Sequence, residues 1–337
     1  MDRVFFLIPG FGNNGVVDCM DNLFSIIMPA YNAENTIRES IISVLNQDFV
    51  DYELIVVNDG STDHTRECVE KFENDKIVLL NVENSGVSNA RNAGIAHSTG
   101  KYICFLDSDD LWMKNHLSTL KKLIKTYPLC NAFCTSYQIR NFNGKYSIPS
   151  RKTLEILKTE DAEIENYFEF QRKNGNFLHI NSFCVKKEIL AVTGCFQPFE
   201  KIGEDTDFFY RIFARYSLVV SKKITSEYRR NPTSVTAKRV FNYRWCFLEN
   251  YKSLINDDDI KDNVKNDIIM VINQYKISAA RNMILEGKKK EAKLCLLNVN
   301  KKMVVLKNYY LTWILLFLPS FIAKIAVKIR DKGYNEN

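Results

Sequence analysis

Three carboxylates lie within four residues of one another, directly after a short apolar run. Asp107, Asp109 and Asp110 follow Tyr102-Ile103-Cys104-Phe105-Leu106, a pattern typical of a short buried strand. Like charges this close repel each other, and burying them without a partner is costly. A divalent cation would relieve the repulsion, because Mg²⁺ and Mn²⁺ are commonly held by one or two carboxylates together with substrate phosphates. The alternative is a solvated acidic turn before a helix that begins near Leu111.

A second acidic group occurs where a helix is expected to begin. The segment Gly203-Glu204-Asp205-Thr206-Asp207 precedes an aromatic-rich stretch. The partial positive charge of a helix N-terminus favours an ionised carboxylate, which would keep that carboxylate available as a general base. Simple capping of the helix by the same side chains is the alternative.

The chain around these groups alternates between strand and helix patterns. Strands are predicted at 23–28, 53–57 and 76–81 and in the run ending at Asp107, with helices at 37–45, before residue 71 and within 83–94. Beyond them, the patterns predict a helix at 117–124, a strand at 130–140, a hairpin at Asn143-Gly144, a helix at 161–174, a strand at 181–186 and a helix at 187–192. Alternation of strands and helices predicts an α/β fold, a Rossmann-like and mostly parallel sheet flanked by helices.

Polar and aromatic residues follow several of the predicted strands. Ligands of such sheets bind beyond the carboxyl ends of the strands, so Tyr31, Asp59 and Asp107 should converge. Tyr31 could stack on a base, Asp59 could accept from a base or ribose, and Arg91 could reach the base or the diphosphate. A packing tyrosine, a turn-forming aspartate and a surface arginine are the alternatives. The first strand is followed by neither Gly-x-Gly-x-x-Gly nor a Gly-Lys-Ser/Thr loop, which argues against dinucleotide oxidoreductases and P-loop NTPases.

Lysines and aromatic residues are concentrated in the C-terminal third of the chain, which has 337 residues and a net charge of +6. This pattern suits an anionic membrane better than nucleic acid, because no nucleic-acid-binding motif accompanies it. The uncharged run 308–323 contains 16 residues and is interrupted by Pro319. It is shorter than the roughly 20 residues needed to span a bilayer. We therefore predict an interfacial helix pair, with a core or dimer helix as the alternative.

The cysteines and residues 1–22 give weaker indications of structure and function. Nine cysteines show no paired framework and no zinc-ligand spacing, and some, such as Cys104 and Cys184, lie inside apolar runs. Reduced thiols in the cytosol are therefore expected. Residues 1–22 have no clear period, and we interpret them as an N-terminal extension.

Five segments in fixed order resemble the family 2 glycosyltransferases, which have the GT-A fold. They are Pro-Ala-Tyr-Asn at 29–32, Val-Asn-Asp-Gly-Ser-Thr-Asp at 57–63, Gly-Val-Ser-Asn-Ala-Arg-Asn-Ala-Gly at 86–94, Phe-Leu-Asp-Ser-Asp-Asp at 105–110 and Gly-Glu-Asp-Thr-Asp at 203–207. One segment alone is a weak signal, whereas the five together are highly specific. The resemblance covers about residues 23–236 and implies that they form a GT-A catalytic domain. The residue pattern of the rest predicts a helical, membrane-associated region at 237–337.

The resemblance implies a nucleotide-sugar site in the first half of this domain. Tyr31, the backbone near Ala30 and Asp59 would hold the uracil or ribose, and Arg91 would support them. Asn58 stands where the family more often has a second aspartate. Because Asp59 is retained, this departure puts little in doubt.

The resemblance also implies a metal site and a base. Asp107 and Asp109 would form the Asp-x-Asp motif that binds Mn²⁺ or Mg²⁺, with Asp109 as the direct ligand. Asp205 would be the catalytic base of the Glu-Asp motif. Glu204 would be the second catalytic residue of that motif. Ser108 would contact the donor, and Arg229 and Thr233 would lie near its diphosphate.

Together these features predict an inverting, metal-dependent glycosyltransferase that moves a hexosyl or N-acetylhexosaminyl group. The donor would be a nucleotide sugar, a UDP-sugar in our interpretation, and the acceptor a hydroxyl of a growing, lipid-linked surface polysaccharide. The expected location is cytoplasmic, peripheral to the inner face of the cell membrane, with no nucleic-acid partner and with a homodimer as one use of the C-terminal helices. The alternatives are a nucleotidyltransferase and a non-catalytic nucleotide- or sugar-binding module.

Overall fold

Strands and helices alternate through the first part of the chain. Our computed structural model describes residues 22–149, 155–198, 203–230, 246–319 and 322–323. The strands are β1 (Phe24–Ala30), β2 (Tyr52–Asp59), β3 (Ile77–Val82), β4 (Tyr102–Phe105), β5 (Leu111–Trp112), β6 (Ala132–Arg140), β7 (Tyr146–Ser147), β8 (Asp161–Ile164), β9 (Phe183–Lys186) and β10 (Leu218–Arg229). The helices are α1 (Ile37–Leu45), α2 (Thr65–Glu70), α3 (Val87–His97), α4 (His116–Thr126), α5 (Tyr167–Asn174), α6 (Leu190–Thr193), α7 (Glu204–Phe213), α8 (Cys246–Ile255), α9 (Asp262–Leu285), α10 (Lys289–Leu297) and α11 (Leu306–Phe317).

In the described ranges, ten strands form one mixed sheet with the order β3-β2-β1-β4-β9-β6-β10-β5, with β7 beside β6 and β8 beside β10. The first four strands pair in parallel, which confirms the predicted βαβ units. β9 is antiparallel to both β4 and β6, whereas β10 is parallel to β6. The carboxyl ends of β1, β2 and β4 therefore lie at one edge, as the sequence predicted.

Both faces of the sheet are covered, so β1 and β2 are buried along their whole length. Successive side chains of a strand point to opposite faces. Ile27 and Ile55 accordingly enter one core cluster, and Ile26 and Leu54 enter the other. On the first face α3 packs closely against β1. A Cβ atom at Gly94 would lie 2.5 Å from Cγ2 of Ile27, so only glycine permits this approach.

The helices after residue 246 share the core of the sheet domain. Ile268 and Val271 of α9 belong to the same cluster as Ile27. Asp267 of α9 accepts hydrogen bonds from Asn166 at 2.9 Å and from Arg172 at 3.1 Å. The predicted domain boundary at residues 236 and 237 lies outside the described residues, as does the predicted extension up to residue 21. Among the helices that the structure describes, none combines the length and apolarity needed to cross a membrane.

Several predicted elements differ from the observed ones. The helix predicted at 161–174 is wrong at its start, because Asp161–Ile164 pairs antiparallel with β10 and the helix begins only at Tyr167. The alternative of an acidic turn before a helix that begins near Leu111 is also wrong, since Leu111–Trp112 is a strand that pairs with β10. Strand β10 itself was not predicted. The hairpin at Asn143-Gly144 is confirmed, with φ of +72° at Gly144 and β6 paired to β7.

A buried histidine should make the stability of this fold depend on pH. His116 stacks on Trp112 with 4.1 Å between ring centroids, and its Nδ1 lies 2.7 Å from Oγ1 of Thr225. Burial lowers the pKa of His116 to about 3. Below pH 6.5, His116 therefore binds a proton in the unfolded chain but stays neutral in the folded chain. Its contribution to stability is present above pH 6.5 and is lost as the pH falls toward 3.

We expect the free energy of unfolding of the wild type to fall by about 2 kcal/mol from this group between pH 7 and 5. In the His116→Gln variant this part of the decrease should vanish, because glutamine does not titrate. Urea unfolding at pH 7, 6 and 5 measures it, with His64→Gln as the control because His64 is 82% exposed. Equal pH dependence in the wild type and His116→Gln would contradict the assignment.

Candidate active site

An asparagine fixes the backbone of the acidic loop after β4. The side-chain oxygen of Asn181 accepts from the backbone N–H of Asp107 at 2.9 Å, and its amide nitrogen donates to Asp110. Asp110 is completely buried and also accepts from the backbone N–H of Arg229 at 2.7 Å. Burial, with Asp109 and Asp107 nearby, raises the pKa of Asp110 well above its usual value. Asp110 is therefore a structural support for the loop.

Asp109 is a second carboxylate of this loop whose pKa is raised. Burial and the neighbouring charge of Asp107 raise the pKa of Asp109 to about 6. Two acidic groups in such surroundings have the donor chemistry that Mg²⁺ or Mn²⁺ prefers. In the described part of the chain, no group of three or more His, Cys, Asp or Glu side chains could hold a metal ion. A cation on Asp107 and Asp109 would therefore need further ligands from a substrate.

Arg91 connects this loop with the second acidic group. Its guanidinium donates to Oδ1 of Asp107 at 2.8 Å and to Oε1 of Glu204 at 3.0 Å. The Arg91 side chain is only 3% exposed and lies over the ring of Phe196, 5.2 Å from its centroid. The two carboxylates raise the pKa of Arg91 despite its burial, so the guanidinium stays charged. The predicted metal loop and the predicted base segment therefore converge at one buried cation.

The Glu-Asp pair lies at the start of α7, as predicted. Gly203 precedes the helix with φ of +85°, a conformation that favours glycine. Burial raises the pKa of Asp205, while Arg91 opposes the shift. Burial and the charge of Asp205 also raise the pKa of Glu204. A carboxylate with a raised pKa accepts a proton near neutral pH more readily than an ordinary one.

Asp59 supports the helix that carries Arg91. The Asp59 side chain accepts from the backbone N–H groups of Ser85 at 2.8 Å and Gly86 at 2.9 Å, directly before α3. It is only 4% exposed. Asp59 thus shapes the turn and also lies at the carboxyl end of β2. Its predicted contact with a nucleotide stays a prediction.

Tyr31 and Ala30 lie at the carboxyl end of β1. Tyr31 is 53% exposed, which leaves its ring open to a ligand, whereas Ala30 is buried. Asn32 follows with φ of +49°, and its side-chain oxygen accepts from the N–H of Thr62 at 2.8 Å. This bond joins the loops after β1 and β2. The predicted stacking of Tyr31 on a base remains untested.

Arg229 ends β10 beside the acidic loop. Its Nε donates to the backbone oxygen of Asp109, and its guanidinium forms an ion pair with Glu39. One guanidinium nitrogen, Nη2, is buried with no hydrogen-bond partner. Arg229 therefore lies beside the acidic loop, and its predicted contact with a diphosphate stays a prediction. Thr233, the other predicted diphosphate contact, falls outside the described residues.

Sequence reasoning missed the residues that hold these side chains in place. Asn181 belongs to no recognised motif, and it has a role only because the fold places it beside Asp107 and Asp110. Asn92 lies inside a recognised segment, and its side chain makes two hydrogen bonds of 2.9 Å with the backbone of Phe196. His179 lies between Tyr137 and Tyr228, with ring centroids at 4.9 and 4.8 Å. A single sequence gives no signal for such stacking.

The comparisons with known proteins agree with this geometry. A model of a protein family described as "Glycosyl transferase family 2" matches residues 25–190, which include strands β1 to β4, the helices between them and the acidic loop. Residues 25–190, about half of the chain, therefore belong to glycosyl transferase family 2. The relatives of this family 2 region include the UDP-Glc:alpha-D-GlcNAc-diphosphoundecaprenol beta-1,3-glucosyltransferase WfgD of Escherichia coli. The two are 41% identical over 141 residues, which are 41% of this chain and 55% of WfgD.

A second relative is the minor teichoic acid biosynthesis protein GgaA of Bacillus subtilis. It is 31% identical over 261 residues, which are 70% of this chain and 54% of GgaA. The chain thus spans about half the length of these two relatives. Among solved structures, S. aureus TarS 1-349 aligns with a TM-score of 0.65 and 21% identity, over 83% of this chain and 82% of TarS. At this identity the likeness shows the fold, which is the predicted GT-A type.

Removing the buried cation should destabilise the protein. Arg91→Met leaves two partly buried carboxylates without their partner, so we expect the free energy of unfolding to fall by about 3 kcal/mol. Urea denaturation measures the change. Arg66→Met is the matched control, because the Arg66–Glu70 ion pair is exposed and should contribute little. A similar effect of both substitutions would show that Arg91 does not hold the two acidic groups together.

Proposed function

We propose that this family 2 member transfers a sugar from a UDP-sugar to a hydroxyl of a surface polysaccharide. The observation that carries the proposal is the convergence of Asp107 and Glu204 on Arg91, which brings a donor-side carboxylate and the base segment to one sheet edge. The relatives support it. WfgD is named as a UDP-Glc glucosyltransferase, and TarS 1-349 was crystallised in complex with UDP-GlcNAc, with a TM-score of 0.62 at 22% identity.

Asp205 is the general base in this proposal. A sugar hydroxyl is a poor nucleophile at neutral pH, and Asp205 would accept its proton during attack on the anomeric carbon. Burial raises the pKa of Asp205, which improves it as a base. Glu204 is fixed by Arg91 and would hold the start of α7 in place. Direct attack assisted by one base inverts the anomeric configuration.

The donor side uses the acidic loop and the ends of three strands. Asp107 and Asp109 would hold Mg²⁺ or Mn²⁺, which when bound neutralises charge on the departing diphosphate. Arg229 offers a buried, unpartnered Nη2 beside this loop for a phosphate oxygen. The remaining proposed nucleotide contacts are Ala30, Tyr31, Asp59, Ser108 and Thr233.

The acceptor is proposed to be linked to a lipid, and the enzyme to act at the inner face of the cell membrane. The name of WfgD includes a diphosphoundecaprenol acceptor, and the name of GgaA places it in teichoic acid synthesis. A nucleotidyltransferase fits less well, because Pro29–Asn32 is not a glycine-rich phosphate loop. A non-catalytic module fits less well because the carboxylates of both acidic groups are retained.

Removal of the base should abolish transfer without abolishing donor binding. For Asp205→Asn we expect kcat to fall by roughly 10²–10⁴-fold, because the amide accepts no proton. Release of UDP from whichever donor of a UDP-sugar panel reacts fastest measures kcat, and calorimetry measures UDP affinity. Asp258→Asn, at an exposed site, is the control. Unchanged turnover in Asp205→Asn would rule out this base.

Metal-dependent binding of UDP should weaken in acid. Since the pKa of Asp109 is about 6, a proton competes with the cation below that pH, and we expect the affinity for UDP with Mn²⁺ to be roughly tenfold lower at pH 5 than at pH 7.5. Asp109→Asn should bind UDP weakly at both values, and chelation by EDTA should have the same effect on the wild type. Calorimetry with and without Mn²⁺ measures this. Affinity that ignores both EDTA and Asp109→Asn would contradict the proposed metal site.

A further inference from the structure

Helix α11 has two apolar faces, and within the described part of the chain only one of them is packed. Tyr309 and Leu316 are buried in a cluster with α9 and α10. On the other side the exposed fractions are 49% for Leu306, 53% for Tyr310, 55% for Ile314 and 81% for Phe317. At about 100° per residue these four positions fall within an arc of about 80°. An aligned row of exposed apolar side chains is unusual for a surface that faces only water.

Helix α10 presents a similar outward face. Leu294 is 62% exposed and Leu297 is 60% exposed. By helical geometry they share one side with Lys290 and Lys293, which are exposed as well. The opposite side of α10, with Leu296, packs in the same cluster as the buried side of α11. The outer faces of both helices therefore point away from a common core.

The residues around these faces are predominantly basic. Residues 287–319 contain seven lysines and one acidic residue, Glu291. Lys307 is exposed and lies at the edge of this arc, about 20° beyond Ile314 around the helix. Two copies of this surface placed together would oppose lysine with lysine, which disfavours a dimer through it. An anionic surface that also accepts apolar side chains matches both properties.

We propose that the outward faces of α10 and α11 are a docking surface for an anionic lipid bilayer. The surface consists of Lys290, Lys293, Leu294, Leu297, Leu306, Lys307, Tyr310, Ile314 and Phe317. The 12 residues of α11 rise about 18 Å, against about 30 Å of hydrocarbon, so the helix lies along the interface. The lysine stems reach past the apolar side chains to the headgroups. This inference rests on the proposed function for its purpose, which is access to a lipid-linked acceptor, whereas the binding itself needs no transfer.

Co-sedimentation of the full chain with vesicles tests the proposal. We expect binding to phosphatidylcholine vesicles that contain 30% phosphatidylglycerol, and weaker binding to phosphatidylcholine alone or at high salt. The variant Leu306→Gln/Ile314→Gln/Phe317→Gln should bind at least tenfold more weakly. The matched control is Leu129→Gln/Ile156→Gln/Val192→Gln, three apolar residues exposed by 93%, 57% and 64% elsewhere, and it should bind as the wild type does.

A charge variant keeps the test valid if the apolar variant folds poorly, which its thermal unfolding would reveal. Lys290→Gln/Lys293→Gln/Lys307→Gln should lose roughly fivefold in affinity per lysine. The proposal would be overturned if both variants bound vesicles as well as the control does. It would also be overturned if the wild type were a dimer and the apolar variant a monomer, or if vesicle binding were lost only on deletion of residues 324–337. Release of UDP in solution should be unchanged in both variants. Loss of vesicle binding can therefore be distinguished from a failure of the proposed transfer activity.

Discussion

The site depends on one buried guanidinium. Arg91 pairs with Asp107, 16 residues away in the sequence, and with Glu204, 113 residues away. A charge this deeply buried is tolerated only when it is paired and hydrogen-bonded, and the same holds for its carboxylate partners. The pairing therefore requires α3, the loop after β4 and the start of α7 to keep one relative position. The same ion pairs hold together the loop proposed to bind the donor and the segment proposed to supply the base.

A second layer of contacts keeps this arrangement rigid. Asn181 fixes the backbone at Asp107, and Asn92 fixes the backbone of Phe196, over which Arg91 lies. Asp110 is buried between Asn181 and Arg229, so a carboxylate that resembles a metal ligand in sequence instead supports the loop. Hydrogen bonds of this kind limit how far the functional carboxylates can move. A transferase that must hold a diphosphate and a base at a fixed separation needs such limits.

The C-terminal helices pack in two different clusters. The first part of α9 is packed in the core of the sheet domain and is tied to α5 through Asp267. From Ile277 onward the helices form a cluster of their own. Their outer faces carry exposed apolar residues and lysines, so one region is both part of the catalytic fold and, in our proposal, its contact with lipid. Helix α9 is the physical link between these two parts.

The sequence by itself determined the local elements and the residues that could do chemistry. Periodicity placed β1, β2, α1 and the start of α7 closely, because apolar spacing and polar ends are local properties. Five short segments were enough to indicate the family. The carboxyl-end rule placed Tyr31, Asp59 and Asp107 at one edge of the sheet, because parallel strands share that edge.

Only the tertiary structure decided which of these residues meet and what each of them does. Strand β8 and the pairing of Leu111–Trp112 exist because β10 supplies their hydrogen bonds, which no local pattern encodes. The same holds for Asn181, and for Arg91, which the sequence suggested as a nucleotide contact and the fold uses to join two carboxylates. The pKa shifts of Asp109 and His116 follow from burial, and burial is a property of packing rather than of spacing along the chain.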